Sequence, residues 1–163
     1  MTTVSRPIVD FSEDAEGHWV AELACGHRQH VRHRPPWELR PWVLSEEGRR
    51  EHLGGVLPCL LCSMPELPAG LVRYKVAGPW TETQIPPGLL RSHTLKPRVW
   101  GRIVVLEGEL RYVIERSPEV SFVLTPGDAG IVLPEEPHRV EASSGTRFQV
   151  EFWHRASPQA PTT

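Results

Sequence analysis

All three cysteines of this chain lie in its first 63 residues, and their spacing limits what that stretch can fold into more than any other feature does. Cys25-x-His27 is followed by Cys59-x-x-Cys62. Two ligand pairs at hairpin or knuckle spacing can close a tetrahedron of thiolate and imidazole donors around a zinc ion. Residues i and i+2 of a strand face the same way, so Cys25 and His27 are expected to converge on one ion. His30, five residues after Cys25, is the alternative fourth ligand, and His33 is a weaker one. A closed set of four protein ligands makes such a zinc structural, since a catalytic site keeps one position open. It also accounts for how so short a segment folds, because about 60 residues bury too little core to be secure unaided. An odd cysteine count argues against a complete disulfide framework, and a CxxC redox site lacks its βαβ context here.

Around these residues the first part reads as a small α+β module. Gly17–Ala24 alternates as a strand and 29–33 is its antiparallel return, with Cys25-Gly26-His27 at the tip. Ser45 is a capping-box N-cap for a short helix over 45–53, closed by Gly54-Gly55. Arg28, Arg32, Arg34 and Arg40 lie close to Trp37 and Trp42, a combination able to bind single-stranded nucleic acid. This half nevertheless sums to seven basic against nine acidic residues. The tryptophans are therefore expected in the small core and the arginines solvated or paired.

The second part is cysteine-free and reads as strands throughout: 71–76, 84–89, 99–106, 109–115, 120–124, 130–133, 138–142 and 147–154. Glu107-Gly108, Ser117-Pro118, Pro126-Gly127 and Ser144-Gly145 punctuate them as turns. Many short strands with regular turns and no convincing helix predict a double-sheet β-barrel or sandwich, so the chain as a whole is mainly β. In the last strand Phe148, Val150 and Phe152 share one face, and Gln149, Glu151 and Trp153 the other. The organising stretch is 125–142, where a tight turn, the apolar Ile131-Val132-Leu133 and a proline corner deliver His138 to the start of a strand.

The two parts meet at Ser63-Met64-Pro65-Glu66-Leu67-Pro68, where prolines enforce an extended connector. The expected division is a Cys/His module over 1–63, a β-barrel over 64–155 and a disordered tail over 156–163. No apolar run reaches the roughly 18 residues of a membrane span, and the first residues lack the basic and apolar regions of a signal peptide. The reading is cytoplasmic, with no membrane partner. A net charge of −2 makes nucleic acid an unlikely partner.

Two resemblances extend this reading. GHWVAEL, CGHRQHVRHRPPW, RPWV and the terminal CLLC, covering Ile8–Cys62, resemble a small bacterial family of unknown function and imply no activity. In the second part the G-D-x5-P-x3-H arrangement ending at His138 resembles the second motif of the cupin superfamily. RSHTLKPRVWGRIVVLEGEL, LPEEPHRVEA and FQVEFW, within Leu67–Arg155, resemble the cupin-like domain at the N-terminus of some tellurite-resistance TehB proteins and of stand-alone YeaR-like proteins. On that resemblance His93 falls on the family's first histidine, Trp100-Gly101 on its aromatic-glycine step and His138 on its second-motif histidine. Glu151 matches an acidic residue in some members. The H-x-H and glutamate of enzymatic cupins are replaced by Leu95, Pro97 and Gly101. The resemblance thus implies a two-histidine-one-carboxylate set of His93, His138 and Glu151 with open positions, suited to Fe(II), Zn or Ni and admitting a small anion or dioxygen. It further implies a small-molecule or oxyanion ligand, a link to tellurite or nitrogen-oxide stress, and a possible homodimer through the cupin sheets. The alternative is a regulatory or nucleic-acid-binding adaptor in which the zinc module docks and the cupin senses a small molecule.

Overall fold

The computed structural model describes residues 3–157 and divides into two compact units, Met1–Ser63 and Met64–Thr163. It is mainly β, with one short α-helix among the described residues. No helix among them is long and apolar enough to cross a membrane.

The first unit is a four-stranded antiparallel sheet in the order β3-β2-β1-β4, built from β1 (Ser5–Glu13), β2 (Trp19–Leu23), β3 (Arg28–His30) and β4 (Val56–Pro58). The β2–β3 hairpin is the expected one, but β1 and β4 are not legible in the sequence. β1 is interrupted by Pro7 and a register shift between Ile8 and Asp10, so its polar and apolar residues do not alternate cleanly. It is held as a strand from both sides, by β2 along Ile8–Glu13 and by β4 along Ser5–Pro7. The helix α1 (Glu46–Glu51) begins as its capping signal predicts, with Ser45 Oγ accepting the Gly48 N–H at 3.0 Å. Ile8, Ala21, Leu23, Val31 and Val43 form the small core together with Cys59 and Cys62. Trp19 and Trp42 pack against it, and Trp42 stacks on His52 with ring centroids 3.8 Å apart. Trp37 does not join them, being 86% exposed in the turn bridged by Arg34 and Glu38.

The second unit is two antiparallel sheets. One has the order β5-β11-β6-β9, from β5 (Leu71–Thr81), β6 (Trp100–Glu107), β9 (Ala129–Val132) and β11 (Arg147–Arg155). The other has the order β10-β7-β8, from β7 (Leu110–Ile114), β8 (Val120–Leu124) and β10 (His138–Ala142). A single buried cluster takes Ile103, Val105, Phe148 and Val150 from the first sheet and Leu110, Tyr112, Leu124 and Val140 from the second. Two elements depart from expectation. The stretch 84–89 is not a strand; Pro86 and Pro87 have no N–H to give a ladder, and the chain turns through a 3-10 segment at Pro87–Leu90. β5 does not stop at Val76 but runs on to Thr81, because Gly78 (φ +95°) and Pro79 form a bulge opposite Gln149. The connector carries no regular secondary structure over 64–68. Of the predicted disordered tail, residues 158–163 lie outside the described residues.

Candidate metal centre

β1 pairs with β2 along one edge and β4 along the other, and this sets two turns beside each other at one end of the sheet. The first is the β2–β3 turn. Gly26, at φ +85°, permits it, and the chain closes when Gly26 N–H donates to Leu23 O and Leu23 N–H to His27 O. Cys25 and His27 therefore converge from a turn and not, as expected, from strand alternation. The second turn follows β4. Cys59 N–H donates to Val4 O at 2.7 Å and Cys62 N–H to Cys59 O at 3.2 Å. Ser63 Oγ donates to Cys59 O at 2.8 Å and accepts the Val4 N–H at 2.9 Å, which pins the knuckle to the start of β1.

One donor atom from each of Cys25, His27, Cys59 and Cys62 lies within 4.8 Å of every other. Cys25 Sγ is 3.8 Å from Cys59 Sγ, and His27 Nδ1 is 3.6 Å from Cys59 Sγ and 3.3 Å from Cys62 Sγ. A tetrahedral ion with Zn–S of about 2.3 Å and Zn–N of about 2.05 Å requires S···S separations of about 3.8 Å and S···N of about 3.6 Å. The observed spacings match that shell. The three thiols are free of disulfides, His27, Cys59 and Cys62 are buried, and Cys25 is half-buried.

The thiols are electrostatically unequal. Burial pushes the Cys59 thiol up to about 11. At Cys62 burial acts the same way but is outweighed by the Arg6 guanidinium and by hydrogen bonds with Cys25 and Cys59, which hold its thiol below the ordinary value. Arg6, raised above its usual value mainly by its hydrogen bond to Cys62, is the cation of this site. Its position on β1 carries no spacing signal, so nothing in the sequence marks it.

The competing histidines are engaged elsewhere. His30 Nε2 lies 2.8 Å from Asp14 Oδ2, and His33 Nδ1 accepts the Arg40 N–H at 3.1 Å. A second cluster, Asp14, Glu16 and His18, is a capped turn: Asp14 Oδ1 accepts the N–H of both Glu16 and His18 at 2.9 Å.

In the second unit His93 and His138 face each other. Their backbones exchange two hydrogen bonds of 3.0 and 3.1 Å, and their ring centroids are 4.1 Å apart. Each Nδ1 sits 2.8 Å from a backbone carbonyl, Arg91 O and Glu136 O respectively. Donation from Nδ1–H to those carbonyls fixes the tautomer and leaves both Nε2 lone pairs free. The two rings line an otherwise apolar cavity of about 60 Å³ with Leu95, Ile103, Phe148 and Val150. Burial drives His138 down to about 4, helped by the neighbouring His93.

Residues 75–150 match the TehB-like domain family, and residues 9–66 match a family described as a protein of unknown function, DUF3565. Over 78 residues the chain is 33% identical to the probable S-adenosyl-L-methionine-dependent methyltransferase TehB of Haemophilus influenzae strain Rd, covering 45% of this chain and 27% of that protein. The TehB of strain 10810 is 32% identical over the same length and coverage. The chain thus spans about a quarter of the length of these relatives. A crystal structure of an Escherichia coli K12 protein superposes with a TM-score of 0.53 at 23% identity, covering 58% of this chain and all of that one, which shows a shared fold. The crystal structure of Haemophilus influenzae TehB gives a TM-score of 0.49 at 28% identity, over 53% of this chain and 32% of that one.

In the second unit, Glu151 is not brought to the histidine pair. It lies on the face of β11 opposite Phe148 and Val150, buried and bonded to Arg73 at 3.0 Å, with Arg102 at 3.7 Å and the Trp153 indole N–H at 3.3 Å. Two basic partners and an indole donor account for its burial. Tyr112, which sequence reasoning did not single out, packs edge-on to His138 at 6.0 Å and donates its hydroxyl to Ile131 O, steadying the cavity wall.

Proposed function

We propose that this protein is a metal-binding protein in which Cys25, His27, Cys59 and Cys62 hold one structural zinc, joined to a TehB-like domain of cupin type whose pocket takes a small ligand. The observation that carries the zinc reading is the match between the spacings of the four donors and a tetrahedral shell of three sulfurs and one nitrogen. Zinc bound by three thiolates and a neutral imidazole leaves a net charge of −1, and Arg6 supplies the compensating cation. With all four positions taken by protein, the ion would supply folding energy and not catalysis.

The small-ligand reading rests on the His93–His138 pair, which offers two Nε2 lone pairs to an apolar cavity. Those nitrogens suit a small hydrogen-bond donor, or a divalent metal such as Fe, Zn or Ni with its remaining positions open to an oxyanion. A stress or tellurite-resistance-type role follows from the TehB likeness alone, and the methyltransferase activity named for TehB belongs to a protein of which this chain spans 27%. Metal analysis of the purified full chain tests the zinc reading. The double variant Cys59→Ser/Cys62→Ser is expected to lose one equivalent of zinc relative to the unaltered chain; an unchanged content in that variant would refute it.

A further inference from the structure

The first unit contains a cavity of about 280 Å³, separate from the cysteine cluster, between the start of β2, the segment following β3 and the 3-10 turn Pro41–Leu44. Trp19, Val31 and Val43 give it an apolar wall. Arg32, His33 and Arg34 give it a cationic, donor-rich one, and no Asp or Glu lines it. We propose that this cavity binds a small organic carboxylate with an apolar, ring-sized body.

Arg32 is the residue that points to an anion. Its Nε is buried with no hydrogen-bond partner, and among the described residues its guanidinium has no ion-pair partner. Charged groups drawn part-way into a protein are ordinarily paired, because desolvation without a counter-charge is unfavourable. The sealed Nε cannot itself reach a ligand, so the counter-charge would meet the terminal amino groups, whose planar fork matches a carboxylate. His33 adds a second donor. Its Nδ1 accepts the Arg40 N–H, so in the neutral ring the proton sits on Nε2. Arg34 uses its Nε on Glu38 at 3.1 Å and keeps its terminal nitrogens. The acids that contact lining residues are engaged by them: Glu38 by Arg34, and Asp14 and Glu16 by His18, with His30 also on Asp14.

Size and wall chemistry choose the class. Drug-sized ligands occupy pockets of roughly 300–1,000 Å³, so this cavity suits a smaller molecule. A bare inorganic anion would leave the Trp19, Val31 and Val43 surfaces uncovered, and a neutral apolar molecule would leave Arg32 without a counter-charge.

The test uses the zinc-loaded full chain and three probes: 4-fluorobenzoate, its neutral amide 4-fluorobenzamide, and inorganic phosphate. Fluorine NMR titration should show saturable binding of 4-fluorobenzoate at least tenfold tighter than the amide. Phosphate, displacing the benzoate, should bind at least tenfold more weakly than it. Arg32→Gln should weaken the benzoate at least tenfold and leave the amide unchanged. Methyl resonances of Val31 and Val43 should move on adding the benzoate, a readout that needs no variant. Equal affinity of acid and amide, tighter binding of phosphate, an unaffected Arg32→Gln, or shifts confined to the separate groove at Arg28, Arg40 and Leu60 would each overturn the proposal.

Discussion

Removing zinc should unfold the first unit outright. Its buried cluster contains four large aliphatic side chains, Ile8, Leu23, Val31 and Val43, and two of its remaining members, Cys59 and Cys62, are proposed metal ligands. At about 1.5–3 kcal/mol each, the four aliphatics contribute about 6–12 kcal/mol. Zinc held by a structural site of this kind contributes about 10–16 kcal/mol at neutral pH. Whole domains are stable by only about 5–15 kcal/mol, so the loss of the ion exceeds what so small a core can withstand. The assay is a two-dimensional amide NMR spectrum before and after chelation. The amides of Ile8, Leu23 and Val31 should collapse to random-coil positions, while those of Leu110–Ile114 in the second unit stay in place. Native positions for Ile8, Leu23 and Val31 in protein shown to be zinc-free would refute the reasoning.

Three further outcomes are expected. Arg6→Gln should lower zinc affinity by about 10–100-fold, since it removes the cation beside a net-negative shell; competition against a chromophoric chelator measures this, and unchanged affinity would assign Arg6 a packing role only. His138 is buried and held near 4, below the ordinary histidine value of about 6.5, so the unfolded chain takes up its proton first. In protein carrying zinc only at the Cys/His site, the stability of the second unit should be level above about pH 6.5, fall by about 3 kcal/mol as pH drops to about 4, and level off below. Hydrogen exchange of the β7 amides reads this, and His138→Leu should abolish that slope. Gly108→Ala should destabilise the second unit by at least about 2 kcal/mol, because Gly108 has φ +71° and an added Cβ would lie 2.8 Å from the backbone oxygen of Gly145; urea unfolding followed by the Tyr112 ring resonances measures it.

Much of this molecule is written locally. Turn residues mark the connections between β6 and β11, a Ser45 cap marks α1, and two ligand pairs 34 residues apart mark the cysteine cluster, because each signal depends on a few neighbouring residues. What escapes is set by tertiary pairing. Ser5–Glu13 becomes a strand only because β2 and β4 lie on either side of it, and Arg6 gains its role only when that strand passes Cys62. Glu151 is instructive in the other direction. Simple alternation already placed it opposite Phe148 and Val150, while the family resemblance drew it towards the histidines. Its ion pairs with Arg73 and Arg102 agree with the alternation.

The central claim is a zinc ion held by Cys25, His27, Cys59 and Cys62, and zinc K-edge X-ray absorption of the full chain tests it most directly. The account predicts three sulfur neighbours at about 2.3 Å and one nitrogen at about 2.0–2.1 Å. A shell of oxygen and nitrogen without sulfur, or protein purified and resupplied with zinc that retains none, would contradict it.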